Sequence, residues 1–290
     1  MSPVDVLAEA CGVWRRFGAF TAVSAVDLEV GSGEVVGLLG ANGAGKTTFI
    51  RLLLGLLRPS DGVVRLFGSA PSIATRRRVG YLPQTLGLYA GLTVAENWAF
   101  TTAAFRSYGT PVPESISAWK NDLVGGLPLG AQRQVAFVVA RSHRPELLIL
   151  DEPTSGVGPL GSARLWEQIR QSAGQGTGAL VTTHNMEEAE QCDRLVVMAD
   201  GKVVAAGTAE QITSGRTVAR VRCGDPNRAF AVLDGGGLAV QAHGNALRVS
   251  GTAEKISGLL SCAGIDATVE TVPANLEEAF VALVAHPAAG

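Results

Sequence analysis

The chain has 290 residues, 47% of them hydrophobic and 17% charged, which excludes intrinsic disorder because enough apolar surface is available to offset the entropy of ordering. Its 24 basic residues against 26 acidic ones give a formal charge of −2, which excludes a polycationic nucleic-acid binder. The 36 glycines exceed ordinary usage and follow no Gly-X-Y period, so they indicate tight turns and close backbone approaches.

In chain order, Val26, Leu28 and Val30 alternate with Asp27 and Glu29, which predicts a strand with one buried face. After the turn Gly31-Ser32-Gly33, the nearly continuous apolar run from Glu34 to Leu39 predicts a strand buried on both faces. Residues 47–57 predict a helix with Ile50, Leu53, Leu54 and Leu57 on one side, ended by the turn chemistry of Arg58-Pro59-Ser60-Asp61-Gly62. A short strand is predicted at 79–82, and a helical pattern covers 86–144 with a break from Gly109 to Pro113. Further strands are predicted at 147–150 and 178–183, then a hairpin over 194–198 and 201–206. Strands alternating with helices imply an α/β fold, with a mostly parallel sheet and an antiparallel portion near its ends. The pattern changes near Ser214-Gly215. Residues 1–215 are therefore expected as one domain and 216–290 as a small α+β appendix holding the turn Gly235-Gly236-Gly237.

Cys11, Cys192, Cys223 and Cys262 lie far apart without metal-ligand spacing, which predicts free, packing thiols in a reducing compartment. The first ten residues carry no basic n-region, and no window reaches the ~18–20 apolar residues of a membrane-spanning helix. The expectation is a soluble chain whose membrane role is peripheral.

The segment Gly40-Ala41-Asn42-Gly43-Ala44-Gly45-Lys46-Thr47 matches the phosphate-binding loop GxxxxGK[ST] in full, between a predicted strand and a predicted helix. Glycines let successive N–H groups turn inward around phosphate oxygens, and the helix adds its positive N-terminal end. Lys46, one of only four lysines, would reach the terminal phosphates; Thr47 would hold Mg²⁺, and Thr48 belongs with the nucleotide-binding candidates. Asp151 and Glu152 follow a buried strand, where one carboxylate can hold Mg²⁺ and the next can polarise an attacking water. His184 ends the next buried strand; alone, a histidine there is usually a polar cap.

These motifs, with Leu147-Leu148-Ile149-Leu150-Asp151-Glu152-Pro153-Thr154-Ser155-Gly156 and Val181-Thr182-Thr183-His184 in this order and spacing, resemble the nucleotide-binding subunit of an ATP-binding cassette (ABC) transporter. The resemblance covers residues 10–213 and implies a P-loop NTPase cassette with a helical subdomain at about 86–145. It implies ATP and Mg²⁺ as cofactors, with Thr47, Gln84 and Asp151 at the metal, Glu152, His184 and Gln84 as catalytic residues, and Phe17 stacked on adenine. It also implies a second ATP-binding subunit and a multi-span membrane permease as partners, no nucleic acid, and a peripheral place on the cytoplasmic face of the membrane. Glu96 is a candidate partner contact. Pro273 to Phe280 is similar to the closing helix of exporter ATPases.

Some positions depart from the family. The signature, usually Leu-Ser-Gly-Gly-Gln, reads Leu127-Pro128-Leu129-Gly130-Ala131, so the serine hydroxyl and one N–H that bind the opposite protomer's γ-phosphate are missing. A Leu-Pro-Leu-Gly version is similar to that of a subgroup of drug exporters. Arg133-Gln134 reverses the usual Gln-Arg order, and Gly158 stands where an aspartate links the two ATP sites. Three functions stay open at this point: an exporter ATPase, a weakly hydrolysing ATP-binding partner subunit favoured by Pro128 and Gly158, and a soluble ABC ATPase acting on ribosomes or DNA. The single cassette and near-neutral charge weigh against the third.

Overall fold

The structure, a computed structural model, describes residues 5–106 and 109–285. Ser107 and Tyr108, inside the expected helical stretch, and the ends of the chain lie outside the described residues. In chain order, β1 (Val6–Phe17) and β2 (Phe20–Gly31) form a long antiparallel pair. β3 (Val35–Leu39) leads through a loop into α1 (Lys46–Leu53), and β4 (Asp61–Leu66) returns to pair with β1. α2 (Ile73–Arg76) and β5 (Val79–Leu82) precede a helical segment of α3 (Val94–Ala104), α4 (Glu114–Ser117), a 3-10 turn (Val124–Gly126) and α5 (Leu129–Ala140). Next come β6 (Leu147–Asp151), α6 (Pro159–Gly174), β7 (Gly178–Thr183), α7 (Met186–Ala189) and the hairpin β8 (Arg194–Ala199) with β9 (Lys202–Gly207).

These elements make the first of two units, Met1–Thr208. Its main sheet has six strands in the order β5-β6-β7-β3-β8-β9, parallel except for β9. The antiparallel portion is largely a separate three-stranded sheet, β2-β1-β4. Side chains of β3, β6 and β7 are buried on both faces, as their unbroken apolar runs predict. Val36, Leu38, Leu147, Ile149 and Leu180 pack on α1 and the three-stranded sheet; Val35, Leu148, Leu150 and Val181 pack on α5 and α6. α1 stops at Leu53, short of the expected Leu57, because the N–H groups of Leu56 and Leu57 both turn back onto the Arg51 carbonyl at 2.8 and 3.0 Å. In the helical segment Val94, Trp98, Ile116, Val124, Val135 and Val139 form a core of their own.

The second unit, Ala209–Gly290, begins earlier than residue 216 because the short helix α8 (Ala209–Thr213) packs against the last helix, α11 (Leu276–Ala285). Between them run β10 (Thr217–Cys223), α9 (Pro226–Gly235), β11 (Val240–His243), β12 (Ala246–Val249), α10 (Ala253–Cys262) and β13 (Ala267–Pro273). The antiparallel sheet order β11-β12-β10-β13 with a βαββαβ sequence is a ferredoxin-like arrangement. Ala219, Val221, Leu247 and Val249 face Ala229 and Leu233 of α9 and Ile256 and Leu260 of α10. On α11, Glu278 takes two hydrogen bonds from Arg248, at 2.5 and 2.9 Å.

No helix among the described residues is long and apolar enough to cross a membrane. The four cysteines are free. Burial, reinforced by Asp193, pushes the Cys192 thiol up to about 12, whereas Cys11 and Cys262 are exposed. Since the thiolate is the nucleophile, alkylation of the folded chain at neutral pH, located by peptide mass spectrometry, should label Cys262 quickly and leave Cys192 unmodified until denaturant is added. Equal labelling of the two in the native chain would contradict this packing.

Candidate functional site

Parallel pairing sets the carboxyl ends of β3, β6 and β7 side by side, with Leu39 opposite Thr183 and Asp151 opposite Thr182. Open α/β sheets bind ligands at such strand ends. The loop after β3 rises here and turns into α1, whose N-cap is Gly45 at φ 99°. Only glycine serves at two places in it: a Cβ at Gly40 would stand 2.6 Å from the Met198 carbonyl oxygen, and one at Gly45 2.5 Å from that of Ala22. The loop residues from Asn42 to Thr48, with Phe20, Ala22, Gln84 and Glu152, line a cavity of about 420 Å³.

Lys46 is buried, and its Nζ donates to the carbonyls of Gly40 at 2.7 Å and Ala41 at 3.1 Å. Burial pulls its pKa below the usual lysine value, while Glu152 and Asp151 pull it back up. The Thr47 hydroxyl donates to Asp151 Oδ2 at 3.0 Å, and the Thr182 hydroxyl donates to Asp151 Oδ1 at 2.7 Å. Thr182 Oγ1 in turn accepts the Glu152 N–H at 2.8 Å. Glu152 needs that hold, because its φ of 50° puts a residue with a Cβ in the left-handed region. Its carboxylate lies 3.9 Å from Lys46 Nζ and 3.5 Å from His184 Nδ1, and it accepts a hydrogen bond from Gln84 Nε2 at 3.3 Å.

A polyphosphate fits this cavity: loop N–H groups, a helix N-terminus and a buried ammonium ring a space that no side chain fills. A hydroxyl paired with a carboxylate, as Thr47 is with Asp151, suits a hard cation such as Mg²⁺.

The ABC transporter family matches residues 23–155. The probable multidrug ABC transporter ATP-binding protein YbhF of Escherichia coli K12 is 36% identical over 223 residues, or 73% of this chain. That match spans only 39% of YbhF, so the chain covers about two-fifths of this relative. A solved ATP-binding subunit of an ABC transporter superposes with a TM-score of 0.63 at 29% identity, over 71% of this chain and 91% of its own. The Nod factor export ATP-binding protein I of Rhizobium meliloti is 32% identical over 308 residues, covering 96% of this chain and 88% of that one. The chain belongs to the ABC transporter family.

Within this ABC cassette, the fold brings Lys46, Thr47, Gln84, Asp151, Glu152 and His184 together. Phe17 does not line the cavity; its ring lies under the Arg15 guanidinium at 4.3 Å, and the aromatic at the cavity wall is Phe20. Leu127, Pro128, Leu129 and Gly130 also lie outside that wall. They form the start of α5, where Pro128 is the N-cap and no side chain caps the first N–H groups. Glu96 closes a capping box at the start of α3 with Thr93.

Three further side chains bear on the site. Thr182, in the sequence one residue of the motif Val181-Thr182-Thr183-His184, has no role assigned there, and Arg133 enters only through its reversed order with Gln134. Glu188 is buried and accepts hydrogen bonds from Thr154 at 2.5 Å and Thr183 at 2.8 Å, tying the loop after β6 to the end of β7. Arg133, only 5% exposed, lies in the field of Glu152 and Asp151.

Thr182→Val keeps the shape of the side chain and removes the acceptor for the Glu152 N–H. A buried donor left unpaired costs about 1–3 kcal/mol, so the variant should unfold at lower temperature than the wild-type chain and bind ATP with a less ordered Glu152. Calorimetry of both chains decides; equal midpoints would show that Thr182 does not hold the strained residue.

Proposed function

We propose that this cassette is the ATP-hydrolysing subunit of an exporter, acting as a dimer on the cytoplasmic face of the membrane beneath a separate multi-span permease. The observation that carries the reading is the Glu152 carboxylate, held at the cavity between Lys46, Gln84 and His184. Loop N–H groups and Lys46 bind the phosphates of ATP. Mg²⁺, held by Thr47 and Asp151 with Gln84 beside them, would neutralise charge on the phosphates. Glu152 accepts a proton from the attacking water, and His184, with its side chain 58% exposed at the open side, orients that water against the γ-phosphate. Export follows the names of the multidrug and Nod factor relatives, and a drug-like or lipophilic cargo is proposed by analogy.

Dimerisation is supported by the uncapped start of α5. Leu129, Gly130 and Ala131, after the N-cap Pro128, present helix N–H groups that no side chain caps, outside the chain's own cavity, and Leu129 is 44% exposed. In a head-to-tail pair these groups meet the nucleotide of the second copy. The permease has a suitable surface in the groove of about 240 Å³ lined by Leu54, Leu56, Tyr81, Leu86, Leu88 and Phe105. Next to these in sequence, Tyr89 and Phe100 are more than half exposed and stack edge to face at 5.2 Å. Such exposed apolar groups mark interaction sites. A second reading, an ATP-binding partner of slow turnover, is favoured by Pro128 and Gly158 at two uncapped helix starts.

Glu152→Gln should bind ATP, accumulate an ATP-loaded dimer in gel filtration and lose turnover by at least ~10²-fold, the scale of a lost general base. A wild-type chain no faster than this variant favours the slow partner instead. When the chain is co-expressed with its permease, Phe100→Asp should reduce its recovery in the membrane fraction while leaving ATPase activity of the isolated chain unchanged. Undiminished recovery would move the docking surface elsewhere.

A further inference from the structure

The first turn of α5 rests on the loop that follows Glu152. A Cβ at Gly156 would collide with the Leu129 side chain, and one at Gly130 would stand 3.9 Å from Val157 Cγ1. Arg133 comes four residues after Leu129 and three after Gly130, so it leaves α5 on the same face as that contact. Its neighbour Gln134 instead reaches the Ser115 carbonyl at 3.1 Å. The Arg133 side chain is buried, and its Nε and Nη1 have no hydrogen-bond partner. Burial depresses its pKa, while Glu152 and then Asp151 oppose that effect. A buried cation with unpartnered donors is destabilising and persists where an anion needs it.

Of the two carboxylates that favour the Arg133 charge, Glu152 has the larger influence. Its neighbouring cation, Lys46, stands at the head of the phosphate loop, 3.9 Å away. A triphosphate in the cavity draws Lys46 to its own oxygens and surrounds Glu152 with negative charge. We infer that Arg133 is a positioning residue for Glu152, its guanidinium on α5 holding the carboxylate in place once Lys46 engages the phosphates. The inference rests on the proposed reading of Glu152 as the group that activates water.

The test compares Arg133→Met, Arg133→Lys, Glu152→Gln and the double Arg133→Met/Glu152→Gln. The readouts are kcat and KM for Mg-ATP, affinity for the non-hydrolysable analogue AMP-PNP, and the thermal midpoint without nucleotide. Arg133→Met should lower kcat by between ~10- and ~100-fold, the scale of a misplaced reacting group. KM and AMP-PNP affinity should stay within about twofold, because ground-state binding is untouched. The midpoint should hold or rise, since an unpaired buried charge has been removed. Arg133→Lys should recover most of the rate, and the double variant should be no slower than Glu152→Gln alone. Unchanged kcat in Arg133→Met overturns the proposal, as does a loss that appears in affinity instead of kcat. So does a Met variant that fails to fold, or Met and Lys variants equally slow with lowered midpoints, because Arg133 would then be structural. If Glu152→Gln is inactive while Arg133→Met is fully active, this inference falls alone; if Glu152→Gln turns over at the wild-type rate, the reading of Glu152 falls first.

Discussion

One hydroxyl ties the site to the sheet. Thr182 donates to Asp151 and accepts from the Glu152 N–H, and it can do both because the parallel register sets Asp151 opposite it. Asp151 then has its other oxygen available to the Thr47 hydroxyl at the start of α1. The phosphate loop, the metal-binding candidate and the strained glutamate are thus linked through a buried core of strands, not through mobile loops. Glu188 repeats the device one layer out, bridging Thr154 and Thr183.

Charge is the complementary constraint. Lys46 and Arg133 are both buried, and burial works against both cations while Glu152 and Asp151 favour the charge of each. Lys46 offsets this with two carbonyl acceptors, whereas two of the Arg133 nitrogens have none. With Lys46 3.9 Å from Glu152 and held by two carbonyls, an arriving polyphosphate meets a charge already fixed in position.

The phosphate loop and the ends of β6 and β7 were legible in the sequence because their chemistry is local: glycines at fixed spacing before Lys46-Thr47, and carboxylates after unbroken apolar runs. β1 was not legible as a strand of its own. Its pairing with β2 shifts register after Val6, Ala10, Val13 and Arg15, so the alternation a reader would count is repeatedly reset. Phe20 escaped notice for a different reason. The family pattern points to Phe17 beside Gly18, but which aromatic faces the cavity depends on how the β1–β2 turn lies over the phosphate loop. Thr182, Glu188 and Arg133 are ordinary by type; the fold alone sets Thr182 at Asp151 and Glu152, Glu188 between Thr154 and Thr183, and Arg133 in the interior without partners for two of its nitrogens. The ferredoxin-like order of the second unit likewise depends on long-range strand pairing that no local pattern in 216–290 encodes.

The departures from the family pattern weigh less on the backbone than their residue types suggest. Pro128 lacks an N–H, yet it is the N-cap of α5, and the helix donors begin with the residues after it. What Pro128 removes is a hydroxyl, while Leu129, Gly130 and Ala131 still present N–H groups at the positive end of a helix. At Gly158 the backbone asks for no special freedom. Its φ of −68° is open to any residue, nothing lies within 4 Å of where a Cβ would stand, and Pro159 stiffens the next position. The glycine is not there for conformational freedom; it leaves α6 without a capping side chain and leaves space where a carboxylate would fit. Both departures therefore remove one side-chain contact each while keeping the helix starts in place, so a nucleotide held as proposed would meet backbone N–H groups there, and Glu152 stays held through the Asp151–Thr182–Glu152 linkage.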